Sequence, residues 1–153
     1  MSIELSKEDI AERLLGAWDL RSWIEIYPDG TTDYPLGESA RGQIIYTSDG
    51  HMAAQLVKTD RSTFESEDWR KASDVESARG FKEYFGYFGT FSLDMEKKAV
   101  IHRIDGAWFP NLLGTDQIRF FHFEGDGLVL DADTKWGKVR IEWTRAKNAG
   151  SSI

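Results

Sequence analysis

Apolar and polar residues alternate with a period of two along most of this chain. Trp18, Leu20, Ser22, Ile24 and Ile26 fall on one side of a run that ends in the turn Tyr27-Pro28-Asp29-Gly30. The same alternation returns in "YFGYFGTFSLDM", in "KKAVIHRID" and in the closing "TKWGKVRIEWTRA". Two further segments read as hairpins, "RGQIIYTSDGHMAAQLV" around Asp49-Gly50 and "QIRFFHFEGDGLVLDAD" around Gly125-Asp126-Gly127. Two stretches break the pattern. Residues 6–15 predict a short helix, with Ser6 as N-cap, Glu8 and Asp9 in the first turn, and Ile10, Leu14 and Leu15 on one face. Residues 66 to about 84 predict a helical insertion capped by Ser66 and interrupted near Gly80.

About eight strands joined mostly by tight turns suit an antiparallel barrel, which closes its own edges, better than an open sheet. The expected fold is therefore all-β with two minor helices, an eight-stranded barrel formed as one domain over residues 1–153. With Asp49-Gly50 as a two-residue turn, Tyr46 faces Ala53 and Ile44 faces Gln55. One surface of that hairpin would carry Ile44, Tyr46, His51, Ala53 and Gln55, and the other Ile45, Thr47, Met52, Ala54 and Leu56. Neither is simply polar, so both sides are partly buried or one lines a mixed cavity.

Composition narrows the function. The 153 residues carry a formal net charge of −7 and no Lys/Arg-rich run, which argues against binding to nucleic acid or an anionic membrane. There is no cysteine, and the three histidines have no metal-ligand spacing, so disulfides, thiolate chemistry and a metal site are not expected. No cofactor is expected either: the glycines form no phosphate-cradling loop, and no serine-nucleophile motif occurs. The N-terminal "MSIELSKEDIAERLLG" is charged and amphipathic rather than a signal peptide, and no apolar run reaches membrane-spanning length, so a cytoplasmic location is the expectation.

Gly16-Ala17-Trp18 opens the first strand, and Arg145 ends the last. With "LLGAWDLRSW", "YPLGESARGQIIYTSDGHMAAQL", "YFGYFGTFSLD", "IHRIDGAWFPNLLGTDQIRFF", "GDGLVL" and a terminal "WTR" in that order, the chain closely resembles the bacterial and fungal lipocalin-like domain family over about residues 14–145. The resemblance implies a calycin-like barrel with a pocket, in which the Gly-x-Trp indole closes the floor and the late arginine stacks across it. Some fungal relatives accompany polyketide or terpenoid pathways, but the resemblance carries no catalytic motif.

Alternation supplies the candidate pocket residues. Val100, His102 and Ile104 share a face, as do Arg119, Phe121 and Phe123, then Val139, Ile141 and Trp143, and Tyr87 with Phe91 and Leu93. His102 has three readings: a neutral imidazole satisfied by a carbonyl or tyrosine, a polar contact for a ligand, or a proton-transfer group. Arg119 is either ion-paired inside, with Asp105 or Glu142, or awaits an anion or carbonyl oxygen. In the opposite register Arg119 faces solvent and His122 lies inside. Trp108-Phe109-Pro110-Asn111 is too apolar to stand free, so it folds over the barrel mouth or meets a partner subunit in a homodimer.

The leading expectation is binding of a small, largely apolar or amphipathic molecule by Tyr46, Gln55, Tyr87, His102, Phe109, Arg119 and Trp143. The alternative is a cofactor-free isomerase, cyclase or dehydratase in which His102 and Arg119 are catalytic. A filled barrel acting as an interaction module is the third.

Overall fold

The computed structural model describes residues 4–150; the outermost ends of the expected domain, including the first residues of the N-terminal stretch, lie outside them. Helix α1 (Lys7–Leu14) is followed by β1 (Gly16–Ile26), β2 (Thr32–Asp33), β3 (Arg41–Tyr46), β4 (His51–Val57), helix α2 (Asp74–Lys82), β5 (Tyr84–Asp94), β6 (Ala99–Ala107), β7 (Asp116–Glu124), β8 (Gly127–Asp133) and β9 (Lys138–Arg145). From β3 onward each strand pairs antiparallel with the next, β3 also pairs with β1, and β9 returns to β1. The result is a closed barrel of eight strands, with the two-residue β2 appended to the end of β1. Closure leaves no long unpaired edge. The inward faces of all eight strands form one contiguous apolar cluster.

One end of the barrel is sealed as the family resemblance implies. Ser6 caps α1 reciprocally with Asp9, and Ile10 and Leu14 are buried beneath the strands. The Trp18 indole N–H donates to the Leu14 carbonyl at 2.9 Å. The Arg145 guanidinium lies 3.7 Å from the centre of the Trp18 ring and donates to the carbonyls of Leu15 and Arg13. One side chain thus joins the last strand to the C-terminal carbonyls of the helix, which a helix leaves unpaired. Gly16 has φ +103°, and a Cβ there would come within 3.2 Å of the Arg145 guanidinium, so the glycine of Gly-x-Trp makes room for this contact. Arg145→Ala is expected to lower the melting temperature by about 6 °C, corresponding to about 2 kcal/mol at a partly exposed site. Arg145→Lys should recover less than half, because an ammonium cannot lie flat on the indole and fork to two carbonyls. Thermal unfolding followed by circular dichroism measures both.

Two expectations of register fail, each by one residue. The Asp49-Gly50 hairpin has a three-residue loop. Thr47 N–H donates to the His51 carbonyl at 2.9 Å, Gly50 N–H donates to Thr47 at 3.1 Å, and Gly50 takes φ +90°. Tyr46 therefore pairs with Met52, and Ile44 with Ala54. A shift of one turns β4 over: Met52, Ala54 and Leu56 are buried inside, while His51 and Gln55 are exposed outside. In β1 a bulge between Leu20 and Ser22 has the same effect. Trp23, opposite Ile141, joins the core, and Ser22 hydrogen-bonds Glu142 across to β9 instead.

The insertion is less helical than expected. Ser66 accepts only from the Asp68 N–H, ahead of a short 3-10 turn at Trp69–Lys71. The capping box belongs to Ser73 and Glu76, and α2 starts there. Gly80 does not interrupt the helix; its missing side chain admits the Phe64 ring. The C-terminal end of α2 is pinned to the barrel by Trp108, which stacks on Phe81 at 5.7 Å, donates its indole N–H to the Phe81 carbonyl and packs on Phe85 at 4.4 Å. The Trp108–Asn111 loop thus folds over the end of the barrel opposite α1.

Candidate functional site

Three polar side chains meet inside the barrel. Tyr46 from β3, Tyr87 from β5 and His102 from β6 are buried, with His102 at 0% exposure. The Tyr46 hydroxyl stands 2.7 Å from Nε2 of His102, and the Tyr87 hydroxyl stands 2.7 Å from Nδ1. Both ring nitrogens are therefore used, and the imidazole bridges two strands that do not pair with each other. Phe91, the cross-strand partner of His102, packs edge-on against Tyr46 at 4.8 Å. On the other side an aromatic wall runs from Tyr87 through Phe85, at 5.5 Å, to Trp23, at a further 5.2 Å.

Arg119 completes the group. It is half-buried on the inward side of β7, opposite Val100, whereas His122 is exposed and pairs with Glu124 at 2.9 Å. The register that turns Arg119 inward is the one realised. Its guanidinium donates to the Ile118 carbonyl at 3.2 Å and to Gln117 Oε1 at 3.5 Å, and its charge acts on the Tyr87 hydroxyl. Neither Asp105 nor Glu142 pairs with it; Glu142 is engaged by Ser22. Among the described residues Arg119 is thus a cation without an ion pair.

Burial dictates the protonation of the group. It holds the His102 imidazole well below the ordinary histidine value, and the Arg119 charge adds to that effect. Burial pushes the Tyr46 hydroxyl well above the ordinary tyrosine value; Tyr87 adds to that shift and Arg119 opposes it. The Tyr87 hydroxyl is also raised by burial, against the pull of Arg119. At neutral pH the network is two phenols and a neutral imidazole beside a guanidinium.

Arg119 also marks where the wall opens. β7 pairs with β6 over Asp116–Phe120, but with β8 only from Phe120 to Glu124. Beyond Phe120 the ladder between β7 and β8 stops, while Ala132 and Asp133 continue with β9. A hollow of about 310 Å³ lies at this parting, lined by Gln117, Arg119 and Asp133 among others. Arg119 therefore stands between the solvent and the Tyr-His-Tyr group.

The other expected site residues lie apart. Gln55 is outside, where it accepts a hydrogen bond from Tyr84; together with Ile45 and Ala53 these residues line an outer hollow of about 470 Å³. Its expected place in the lumen fails with the hairpin register. Phe109 sits at the barrel end against Phe81 and Trp108. Trp143 is buried on the inner wall at 2% exposure, and its indole N–H has no hydrogen-bond partner among the described residues. The same holds for the indole N–H of Trp23, a residue that simple alternation missed because the bulge in β1 brings it inward.

The chain is 31% identical over 85 residues to the 4'-hydroxy-3'-methoxypropiophenone carrier protein of Aspergillus oryzae, an alignment covering 52% of this chain and 77% of that protein. A solved redesigned β-barrel superposes over 90% of this chain and 95% of its own, with a TM-score of 0.46 and 15% identity. Among the described residues no helix is long and apolar enough to cross a membrane. The model of the lipocalin-like domain matches residues 15–149, nearly the whole chain, and the protein belongs to that family.

Proposed function

We propose that this chain, as one domain in the cytoplasm, binds a small, largely apolar molecule in its barrel. The ligand reaches the lumen through the parting of β7 and β8 and is oriented by Tyr46, Tyr87, His102 and Arg119. The observation that carries this reading is the unpaired Arg119 beside a buried Tyr-His-Tyr group within an otherwise apolar core. A charge kept at an opening, with an aromatic wall behind it, suits a molecule with one polar end and an apolar body. The relative named as a carrier of a propiophenone, an aromatic ketone, supports the same reading.

Titration with the fluorescent apolar probe 1-N-phenylnaphthylamine tests it. The expected result is saturable uptake of one probe per chain, displaced by 4'-hydroxy-3'-methoxypropiophenone. Arg119→Ala should weaken that displacement about tenfold. Absence of saturable probe uptake would overturn the reading.

Acid–base catalysis is the second reading, favoured by an imidazole that touches two hydroxyls and can relay a proton between them. The burial that keeps all three groups neutral weighs against it. Deuterium uptake at the α-carbon of a bound ketone in heavy water separates the two: a carrier leaves the rate at that of buffer, whereas an enzyme raises it and loses the gain in His102→Gln.

A further inference from the structure

We infer that the end of the barrel opposite α1 docks on a bilayer of zwitterionic lipid through its loop tips. The two ends differ in chemistry. At the α1 end the strand connections are polar: residues 47–50 join β3 to β4, 95–98 join β5 to β6, and 125–126 join β7 to β8. Met95, the apolar residue among them, is packed onto the core. At the opposite end the insertion joins β4 to β5, residues 108–115 join β6 to β7, and 134–137 join β8 to β9. The four most exposed large apolar side chains of the described residues all lie here. They are Trp69, at 79%, and Val75 in the insertion, Leu113 in the next connection, and Trp136, at 70%, in the last. Beside α1 only Leu5 is exposed to a comparable kind of surface, and it is less so.

Packing within the chain does not account for these side chains. Trp69 and Trp136 join none of the aromatic contacts that hold Trp18, Trp23 and Trp108. An indole on a loop tip is suited to the level of lipid headgroups, where its ring meets acyl chains and its N–H stays wet. The shape of the surface also selects the occupant. Three connections spread around one rim present a plane, and neither hollow described above is lined by Trp69, Val75, Leu113 or Trp136. A helix or a peptide would need a groove, whereas a bilayer offers a plane. Charge then selects the lipid. Lys71 lies beside Trp69, and Lys135 and Lys138 flank Trp136. Among the described residues none of the three forms an ion pair, which leaves them for lipid phosphates at close range. The net charge of −7 opposes a bilayer that is itself anionic, so the surface that fits is zwitterionic and apolar insertion supplies the attraction.

The parting of β7 and β8 opens on this same rim. Its unpaired stretches are the start of β7 and the end of β8, which adjoin connections 108–115 and 134–137. Leu113 thus belongs to the connection on one side of the parting and Trp136 to the connection on the other. Ile118 and Phe120, exposed on the outward side of β7, continue the apolar surface from the rim to the opening. A docked barrel therefore brings its opening to the lipid, and an apolar ligand passes between bilayer and lumen without crossing water. Only this purpose rests on the binding function proposed above; docking itself does not.

Flotation with phosphatidylcholine vesicles, with no ligand added, tests the docking. The wild-type chain is expected to float with the vesicles. Phosphatidylcholine brominated in the acyl chains should quench part of its tryptophan emission, a signal that the buried Trp18 and Trp143 do not give. Trp69→Ala combined with Trp136→Ala should lower the vesicle partition coefficient about tenfold, whereas Leu5→Ala at the other end should leave it unchanged. Both tryptophans are exposed, so the circular dichroism of the double variant should match that of the wild type. Phosphatidylglycerol vesicles should bind more weakly than phosphatidylcholine vesicles. Absence of flotation, flotation that survives the double substitution, or tighter binding to phosphatidylglycerol would overturn the inference. So would a sedimentation mass of two chains that falls to one in the double variant, which would give the rim to a second copy. Each of these failures leaves the binding function standing, since no ligand enters the measurement.

Discussion

Replacing His102 by alanine is expected to lower stability by about 4 kcal/mol and the melting temperature by about 12 °C. Two effects add. The imidazole is fully buried, so its removal opens a cavity beneath Phe91 and between the two tyrosines. It also leaves the hydroxyls of Tyr46 and Tyr87 without their partner in a region closed to water. A stranded buried hydroxyl costs about 1–3 kcal/mol, more than its hydrogen bond contributed when made. Tyr46→Phe and Tyr87→Phe should each cost less, about 1–2 kcal/mol, since each removes the hydroxyl with its bond and leaves one ring nitrogen unpaired. His102→Gln should recover part of the loss, because a carboxamide both donates and accepts. Denaturant unfolding of the four variants measures these differences. A loss below about 1 kcal/mol for His102→Ala would mean that the imidazole does not bridge the barrel wall as described.

The parts of the fold legible in the sequence are those that a period of two determines. Arg119 shares its side of the alternation with Phe121 and Phe123, and the burial of Phe121 with the exposure of His122 follows from that pattern. The floor was legible through the family resemblance that Gly16, Trp18 and Arg145 help carry, and the structure brings the three together. Both errors of register came from a single inserted residue. An alternation pattern cannot tell a two-residue loop from a three-residue loop when Asp-Gly suits both, nor can it see a bulge between Leu20 and Ser22. Either event reverses every side chain beyond it, which is how Gln55 left the lumen and Trp23 entered it. The start of α2 was in principle readable, since Ser73 and Glu76 have the capping-box spacing.

The site was legible in its members but not in its connection. Tyr46, Tyr87, His102 and Arg119 were each inward candidates on separate strands. Nothing local to "QIIYTS", "YFGYFG" or "VIHRID" says that two hydroxyls converge on opposite nitrogens of one ring. That convergence depends on the stagger of strands around the barrel, which the pairings Gly16↔Tyr46, Phe91↔His102 and Val100↔Arg119 fix together. Closure adds the longest-range of these constraints, the pairing of β1 with β9. The unpaired state of Arg119 is likewise a tertiary fact: the two carboxylates that could have neutralised it lie elsewhere in the barrel wall.

The same buried imidazole makes stability depend on pH in a defined direction. Burial holds the His102 pKa well below 6.5 in the folded chain, whereas the unfolded chain titrates near that ordinary value. Below about pH 6.5 the unfolded state therefore binds a proton that the folded state refuses, and stability falls as pH falls. The slope approaches about 1.4 kcal/mol per pH unit for one proton where the unfolded histidine is protonated and the folded imidazole is still neutral. Protonation cannot be absorbed within the group. An imidazolium would donate to both tyrosines, leaving two hydroxyl protons without acceptors beside Arg119, and among the described residues no carboxylate faces the ring. The carboxylates held below their usual values, at Asp29, Asp49, Asp68 and Glu76, begin from 3.8 or 4.5 and act at lower pH. Urea unfolding below about pH 6.5 should give a falling stability for the wild-type protein, and a gap to His102→Gln that narrows as the pH drops. If the two curves stay parallel, the imidazole takes up its proton as readily in the folded barrel as in the unfolded chain, and burial does not hold it neutral.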